Sequence, residues 1–302
     1  MKKYLSIDIG GTNIKYGLIQ GDGQILETHK TKTFKDKVTF LALVEEIIGQ
    51  YADQISGIAF CAPGKIQGTS IRFGGALPFL DGIDFKQEFA TYNLPILGVN
   101  DGKAGVLAEH WLGSLQGVDN CAAIILGTGV GGGIMLNGKL LNGAHFQAGE
   151  LSFMQLAHMP LEAGGPFSDE GFSGSLLSAV RMISQVNEKL GNPDVTDGLT
   201  AFEAIKTNHP VATKIFEAYC QNVAQLILNI QAVVDLQKIA IGGGISAQPI
   251  LLDGIKRAYN KLFDDNPLVK TTLNQALLTT AQFQNNANML DALKNLLDNL
   301  DN

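Results

Sequence analysis

Residues Leu5–Ile19 read LSIDIGGTNIKYGLI. Two apolar runs, 4–9 and 14–19, lie on either side of Gly10-Gly11-Thr12-Asn13. Runs this short and this close pair as an antiparallel hairpin. Both are rich in apolar residues, which places the hairpin inside a sheet with covered faces. Its tip is short of side chains. Glycine allows positive φ and close approach of a ligand to backbone N–H groups, and a threonine adds a hydroxyl donor, so the tip suits a phosphate chain. Asp8, at the strand end, is placed to face the same ligand and hold Mg²⁺, directly or through water.

The 35 glycines cluster in further tips of the same style, the run Gly127–Gly133 and Gly242-Gly243-Gly244. Any one of them is equally well explained by a tight turn; three together favour phosphate binding. None has P-loop spacing. Gly127, Gly129 and Gly132 do match Gly-x-Gly-x-x-Gly, but a strand and hairpin follow instead of a helix, so the dinucleotide-binding context is missing. Asp8–Thr12 and Gly127–Gly131 each sit between two apolar strands, a weak internal repeat that predicts two related lobes. The loop-like GSLQGVDN marks a boundary near 113–120. The expected division is a small lobe of 1–113 plus 283–302 and a large lobe of 114–282.

Strands are expected at 4–9, 14–19 and 25–31, in SGIAFCA, in LPILGVN, on both sides of the 127–133 tip, and in KIAIG. Asn137-Gly138 between apolar runs signals a hairpin turn. Helices are expected at 38–52, in GKAGVLAEHWLG, at 175–190, 199–206 and 211–234, and in NANMLDALKNLLDNL. Strands dominate early, helices late, and the two alternate throughout, so the class is α/β.

Composition narrows the partners. Hydrophobic residues make up 45% and charged residues 17%, a globular balance, and the net charge of −7 carries no Lys/Arg cluster. Nucleic acid and an anionic membrane surface are therefore disfavoured. No apolar stretch is long enough to span a bilayer, and Asp8 interrupts the first apolar run too early for a signal segment. Cys61, Cys121 and Cys220 are odd in number and widely spaced, which predicts a reducing, cytoplasmic setting and neither disulfides nor a cysteine zinc site.

Two acids stand out. Asn100-Asp101 falls between a strand and a helix, where either residue can cap and where a carboxylate can equally take the proton of an alcohol receiving a phosphoryl group. Glu150, in QAGELSF, is isolated among apolar residues; it is a solvated or capping acid, or a ligand for hydroxyls.

DIGGTNIKYGLI, APG, NLPILGVNDGKAGVLAE, GTGVGGGIMLNGKL, AGE and IGGGIS occur in the order found in the ROK family (repressor, open reading frame, kinase), which the chain resembles over nearly its whole length. The resemblance implies an actin-like, ribonuclease-H-like fold of two lobes with a cleft between them. It implies an enzyme that transfers the ATP γ-phosphate to a sugar hydroxyl, usually O6 of a hexose, with Mg²⁺. It assigns Asp101 as base, Asn100 and Glu150 as sugar ligands, and Gly75 to the loop beneath the sugar. Asp8, Gly10, Gly11, Thr12 and Asn13 become the first phosphate motif, Gly127, Thr128 and Gly129 the second, and Gly242, Gly243 and Gly244 the adenosine-side loop. A homodimer is the family expectation.

The chain departs from the family pattern at three points. Many members follow Gly-Glu with a His three residues after the Glu and then a cysteine-rich zinc segment. Here Phe153 takes the His position and the cysteines are absent, so no zinc is expected. The family His contacts the sugar near C1–C2, where phenylalanine cannot hydrogen-bond. Either Phe153 relaxes the demand for a free anomeric hydroxyl, admitting a β-glucoside or disaccharide end, or it packs in the core. Asp169 or Glu170 is a candidate for a further sugar contact, and His145 and His158 remain nearby. Lys103 stands in NDGKAG where the family often has NDANAA; it is solvated, or lies near nucleotide phosphates.

The reading is a sugar kinase acting on glucose or a β-glucoside, with N-acetylmannosamine or fructose as alternative substrates. A non-catalytic, sugar-binding regulator is the alternative of another class. Asp101 and the intact glycine tips speak against it, as does the first strand at Tyr4, which leaves no preceding room for a helix-turn-helix.

Overall fold

The structure is a computed structural model that describes residues 1–75, 77–157, 171–283 and 287–300. It divides into two compact units: Met1–Gln116 with Leu140–Gly149 and Asn285–Asn302, and Gly117–Lys139 with Glu150–Gln284. In chain order come β1 (Lys3–Ile9), β2 (Asn13–Gln20), β3 (Ile25–Lys32), α1 (Lys37–Tyr51), β4 (Ile58–Ala62), β5 (Lys65–Gln67), β6 (Ser70–Phe73), α2 (Phe85–Glu88), β7 (Ile96–Asn100) and α3 (Asp101–Leu112). Then follow β8 (Cys121–Leu126), β9 (Val130–Leu136), β10 (Lys139–Leu140), α4 (Ser173–Leu176), α5 (Ala179–Leu190), α6 (Gly198–Lys206), α7 (Pro210–Val234), β11 (Lys238–Gly242), α8 (Pro249–Asp264), α9 (Pro267–Thr272), β12 (Leu277–Thr280) and α10 (Ala287–Leu300).

The first sheet has the order β3-β2-β1-β4-β7 and the second β10-β9-β8-β11-β12. In the first, β1–β2 and β2–β3 are antiparallel while β1–β4 and β4–β7 are parallel. In the second, β8–β9 is antiparallel and β8–β11 and β11–β12 are parallel. The same winding therefore occurs twice, each time with a glycine-tipped hairpin, β1–β2 or β8–β9, in the middle of the sheet. The weak repeat in the sequence is a repeat of topology, and the mixed α/β class is as expected.

β1 and β4 are buried along nearly their whole length. They feed a core of Leu5, Ile7, Ile9, Phe40, Val44, Ile48, Ile58 and Phe60. Phe60 stacks on Phe85 at 3.9 Å, with Phe89 beyond it; each such buried ring contributes on the order of 1.5–3 kcal/mol. α10 closes this unit, packing against β1, β4, β7 and α3. Ser6 Oγ donates to the Met289 carbonyl at 2.7 Å and Asn295 Nδ2 to the Gly98 carbonyl at 3.1 Å. Asp291, fully buried on α10, accepts the Ala108 N–H of α3 with one oxygen, while the other has no hydrogen-bond partner. Burial pushes its carboxyl well above the usual range, and the charges of Glu109 and Asp8 add to that against the Ala108 bond.

Three features differ from the sequence reading. Residues 140–149 cluster with the first unit, where the expected boundaries run 114–282 without a break. The helix expected over 175–190 is two, because Ser178 caps α5 by accepting the Arg181 N–H. The strands β5, β6 and β12 and the helices α2, α8 and α9 are additional. No helix among the described residues is long and apolar enough to cross a membrane.

Candidate active site

The carboxyl ends of β1, β4 and β7 adjoin in the first sheet: Asp8 pairs with Cys61, Cys61 with Val99 and Ala62 with Asn100. Crevices at such strand ends are where open α/β sheets place ligands. Asn100 is the N-cap of α3; its Oδ1 accepts the Lys103 N–H at 3.1 Å. Its Nδ2 donates to the Gly64 carbonyl at 2.7 Å and to Asp101 Oδ1 at 3.2 Å. Capping thus falls to Asn100, leaving Asp101 exposed at the first helical position, with Oδ1 also accepting the Gly102 N–H at 2.8 Å. Both amide hydrogens of Asn100 are already used, so its bonds orient Asp101 and the Gly64 turn. Gly75, at φ +58°, stacks on that turn; an added Cβ would sit 3.0 Å from the Gly64 nitrogen. The structure therefore gathers Gly75, Asn100 and Asp101 at one place in the first unit.

The first tip sits on the same sheet. Thr33 Oγ1 donates to the Gly10 carbonyl at 2.7 Å, Lys35 Nζ to the Gly11 carbonyl, and Thr33 N–H to the Thr12 carbonyl at 3.0 Å. In a trans peptide the N–H points opposite to the C=O. The Gly11, Thr12 and Asn13 amides are thereby turned away from these partners. Gly11 has nothing within 4 Å of a would-be Cβ, so a ligand can approach its backbone. Asp8 is buried, and Asn288 Nδ2 of α10 donates to its Oδ1 at 3.1 Å. Burial raises the Asp8 carboxyl, Asn288 and Lys15 lower it, and the Asp101 charge raises it again, for a net upward shift. A cation beside Asp8 would relieve this. The Asp8 carboxylate offers oxygens to Mg²⁺, and the open amides nearby offer N–H donors to the phosphate that would carry it.

In the second unit, Gly127, Thr128 and Gly244 line one pocket of about 510 Å³ with Val180, Ile183, Leu199, Phe202 and Gln248. The Ala179 N–H at the start of α5 donates to the Gly127 carbonyl at 2.8 Å. Ser246 bonds the Gly243 carbonyl through N–H (3.0 Å) and Oγ (2.8 Å). By the same peptide geometry the Thr128 and Gly244 amides face away from those contacts. Gly242 packs on Ile125, and Gly243, at φ +98°, on the Leu126 backbone. These two glycines serve close packing, while Gly244 is open. Gly129 lies near the Gly174 carbonyl, 3.5 Å from its would-be Cβ. The apolar wall from α5 and α6 went unread in the sequence. So did Asn288, for which no local motif exists.

Glu150 is exposed and accepts the Ser152 hydroxyl at 2.6 Å; it makes no capping bond to the short turn that follows. Phe153 is 71% exposed, which overturns the core-packing alternative. It meets Phe172 edge to face at 6.1 Å. Lys103, expected in solvent or near phosphates, is instead buried, its Nζ donating to the Phe146 carbonyl at 2.8 Å. His145 is exposed, whereas His158, Asp169 and Glu170 lie outside the described residues. Among the described residues no group of three or more His, Cys, Asp or Glu could hold a metal ion. The three cysteines are free and buried, and burial pushes the Cys121 and Cys220 thiols up to about 12, which removes them as nucleophiles.

The ROK family model matches residues 4–297. The chain is 28% identical to a beta-glucoside kinase of Listeria innocua, over 98% of this chain and 97% of that one. It is 28% identical to a glucokinase of Thermotoga maritima, over 83% and 85%. A ROK family protein from Streptococcus pneumoniae, solved in complex with sucrose, superposes with a TM-score of 0.87 over 99% of both chains at 28% identity.

Proposed function

We propose that this chain, which belongs to the ROK family, has its actin-like fold and is a sugar kinase, transfers the γ-phosphate of ATP to a hydroxyl of a hexoside such as a β-glucoside. The observation that carries this reading is the exposed Asp101 carboxylate, oriented by Asn100 at the start of α3 beside the Gly64–Gly75 turn. ATP with Mg²⁺ supplies the phosphoryl group and neutralises its charge. Asp101 orients the acceptor hydroxyl and takes its proton. Glu150 accepts from sugar hydroxyls while Ser152 fixes its rotamer. The Gly11, Thr12, Thr128 and Gly244 amides offer donors to phosphate oxygens. Asp8 stands at the metal side, and the 510 Å³ pocket takes the nucleoside.

The choice of a glycoside over a free hexose rests on Phe153. An exposed ring, braced by Phe172 and three residues from Glu150, offers an apolar face in place of a hydrogen bond. Aromatic faces suit the C–H face of a second ring or an aglycone. The test is ADP release with MgATP across glucose, methyl β-glucoside, cellobiose, N-acetylmannosamine and fructose, for the wild type and Phe153→Ala. Turnover on the glucosides, lost by about tenfold or more in Phe153→Ala with glucose spared, supports the reading. Turnover on a free hexose alone assigns Phe153 no part in specificity. Sugar binding without turnover on any sugar overturns the kinase reading.

A further inference from the structure

Lys103 is a lysine only 6% exposed, on the first turn of the helix that carries Asp101. An ammonium on a four-carbon stem reaches water easily and stays buried only when something holds it there. Here Nζ donates to the carbonyl of Phe146, 43 residues away and 2.8 Å distant. Phe146 belongs to 140–149, the segment that leaves the β9–β10 ribbon and clusters with the first unit. The segment is a closed loop: Ala148 N–H donates to the Asn142 carbonyl and Phe146 N–H to the Gly143 carbonyl. At its turn Phe146 has φ +57°, a left-handed conformation that an aromatic residue keeps only when its surroundings enforce it. Beneath the loop lies a cavity of about 80 Å³ that Asn100, Lys103, Asn142 and Phe146 all line. The backbone N–H of Lys103 is the donor that Asn100 caps. One residue thus bonds both the cap that orients Asp101 and the loop whose next residue is Glu150.

We propose that Lys103 is a positioning residue: it pins the 140–149 loop to the start of α3 and thereby sets the affinity for the acceptor sugar, not for the nucleotide. This rests on the kinase reading above for its functional part. The loop itself is tested without any substrate.

The experiment compares wild type, Lys103→Met and Lys103→Arg by hydrogen–deuterium exchange of the 140–149 peptide and by steady-state kinetics. Loss of a charge-assisted bond should speed exchange in Lys103→Met by about tenfold or more. The sugar KM should rise by about tenfold and the ATP KM stay within about twofold. Lys103→Arg, which keeps charge and donors, should recover part of both. Unchanged loop exchange in Lys103→Met overturns the tether. A parallel rise in both KM values with a lower Tm overturns it too, because general loss of packing then accounts for the effect. If the wild type phosphorylates no sugar, the functional reading fails and the exchange result alone decides the tether.

Discussion

Replacing Gly64 by alanine should cost far more than the same change at Gly68, four residues on. Both glycines have positive φ, +94° and +64°, so both substitutions carry a penalty of about 1–2 kcal/mol for holding a Cβ there. At Gly68 nothing lies within 4 Å of the new carbon, and the cost stops there. At Gly64 the Cβ would fall 1.9 Å from the Phe73 carbonyl oxygen and 2.8 Å from the Gly74 carbonyl carbon. Those are backbone atoms and cannot rotate aside. Overpacking adds about 1–3 kcal/mol. Displacing the turn also breaks the 2.7 Å bond from Asn100 Nδ2 to the Gly64 carbonyl, worth about 1 kcal/mol. The two variants should differ by about 2–4 kcal/mol, roughly 4–16 °C in Tm for a unit of this size. The assay is built in: the single tryptophan, Trp111, sits on α3 in the same unit, so its fluorescence follows that unit's unfolding. The sugar KM should rise in Gly64→Ala with the ATP KM unchanged. Melting curves that coincide within about 1 °C would refute the close approach on which the description of the Gly64–Gly75 turn depends.

Asp101→Asn should lower kcat by about two to four orders of magnitude while calorimetry still detects sugar binding; near-normal turnover rules it out as the base. Asp8 must be ionised to stand beside a cation, and its carboxyl is raised by burial. The acid limb of kcat/KM for MgATP should therefore lie above the ordinary carboxylate range. Asn288→Ala removes a bond that lowers the Asp8 pKa. It should move the limb to still higher pH and raise the Mg²⁺ needed for half-maximal rate; an unmoved limb counts against the pairing. Asp291 is likewise raised, so its protonated form favours folding and that contribution is lost as pH rises through its folded pKa. Asp291→Asn, which cannot ionise, should gain Tm over the wild type as pH rises and converge with it in acid. A gap independent of pH contradicts a neutral buried acid.

The two glycine-tipped hairpins, the β7–α3 junction and the helices α6, α7 and α10 were legible because each rests on local rules: alternation, glycine punctuation and caps. Asn100 and Asp101 left two readings open because the capping bond and the exposed carboxylate belong to neighbouring residues, and only three-dimensional geometry assigns which does which. The split at Ser178 was hidden because apolar spacing continues across it while the backbone breaks to let Ala179 reach Gly127. Sequence left Lys103 and Phe153 with two readings each. A lysine read as solvated or near phosphates is buried with its Nζ on a carbonyl 43 residues away, and a phenylalanine that packs in the core under one of its two readings is exposed. Contacts such as Asn288 with Asp8, 280 residues apart, leave no trace in local pattern.

That last separation has a consequence in time. The strands β1, β4 and β7 emerge early in synthesis, but α10, which covers them and supplies the partner of Asp8, is translated after the whole of the second unit. At about 5–20 residues per second the 280-residue gap between Asp8 and Asn288 lasts roughly 14–56 s. For the part of that interval after β7 is made, the face of the first sheet that α10 covers is an uncovered apolar surface on a nascent chain. The second unit, whose segments are by then all made, can fold first. The growing polypeptide therefore depends on keeping that face from aggregating until α10 arrives. A ribosome that stalls before α10 leaves a chain that holds every segment of the pocket lined by Gly127, Thr128 and Gly244 but lacks the partner of Asp8.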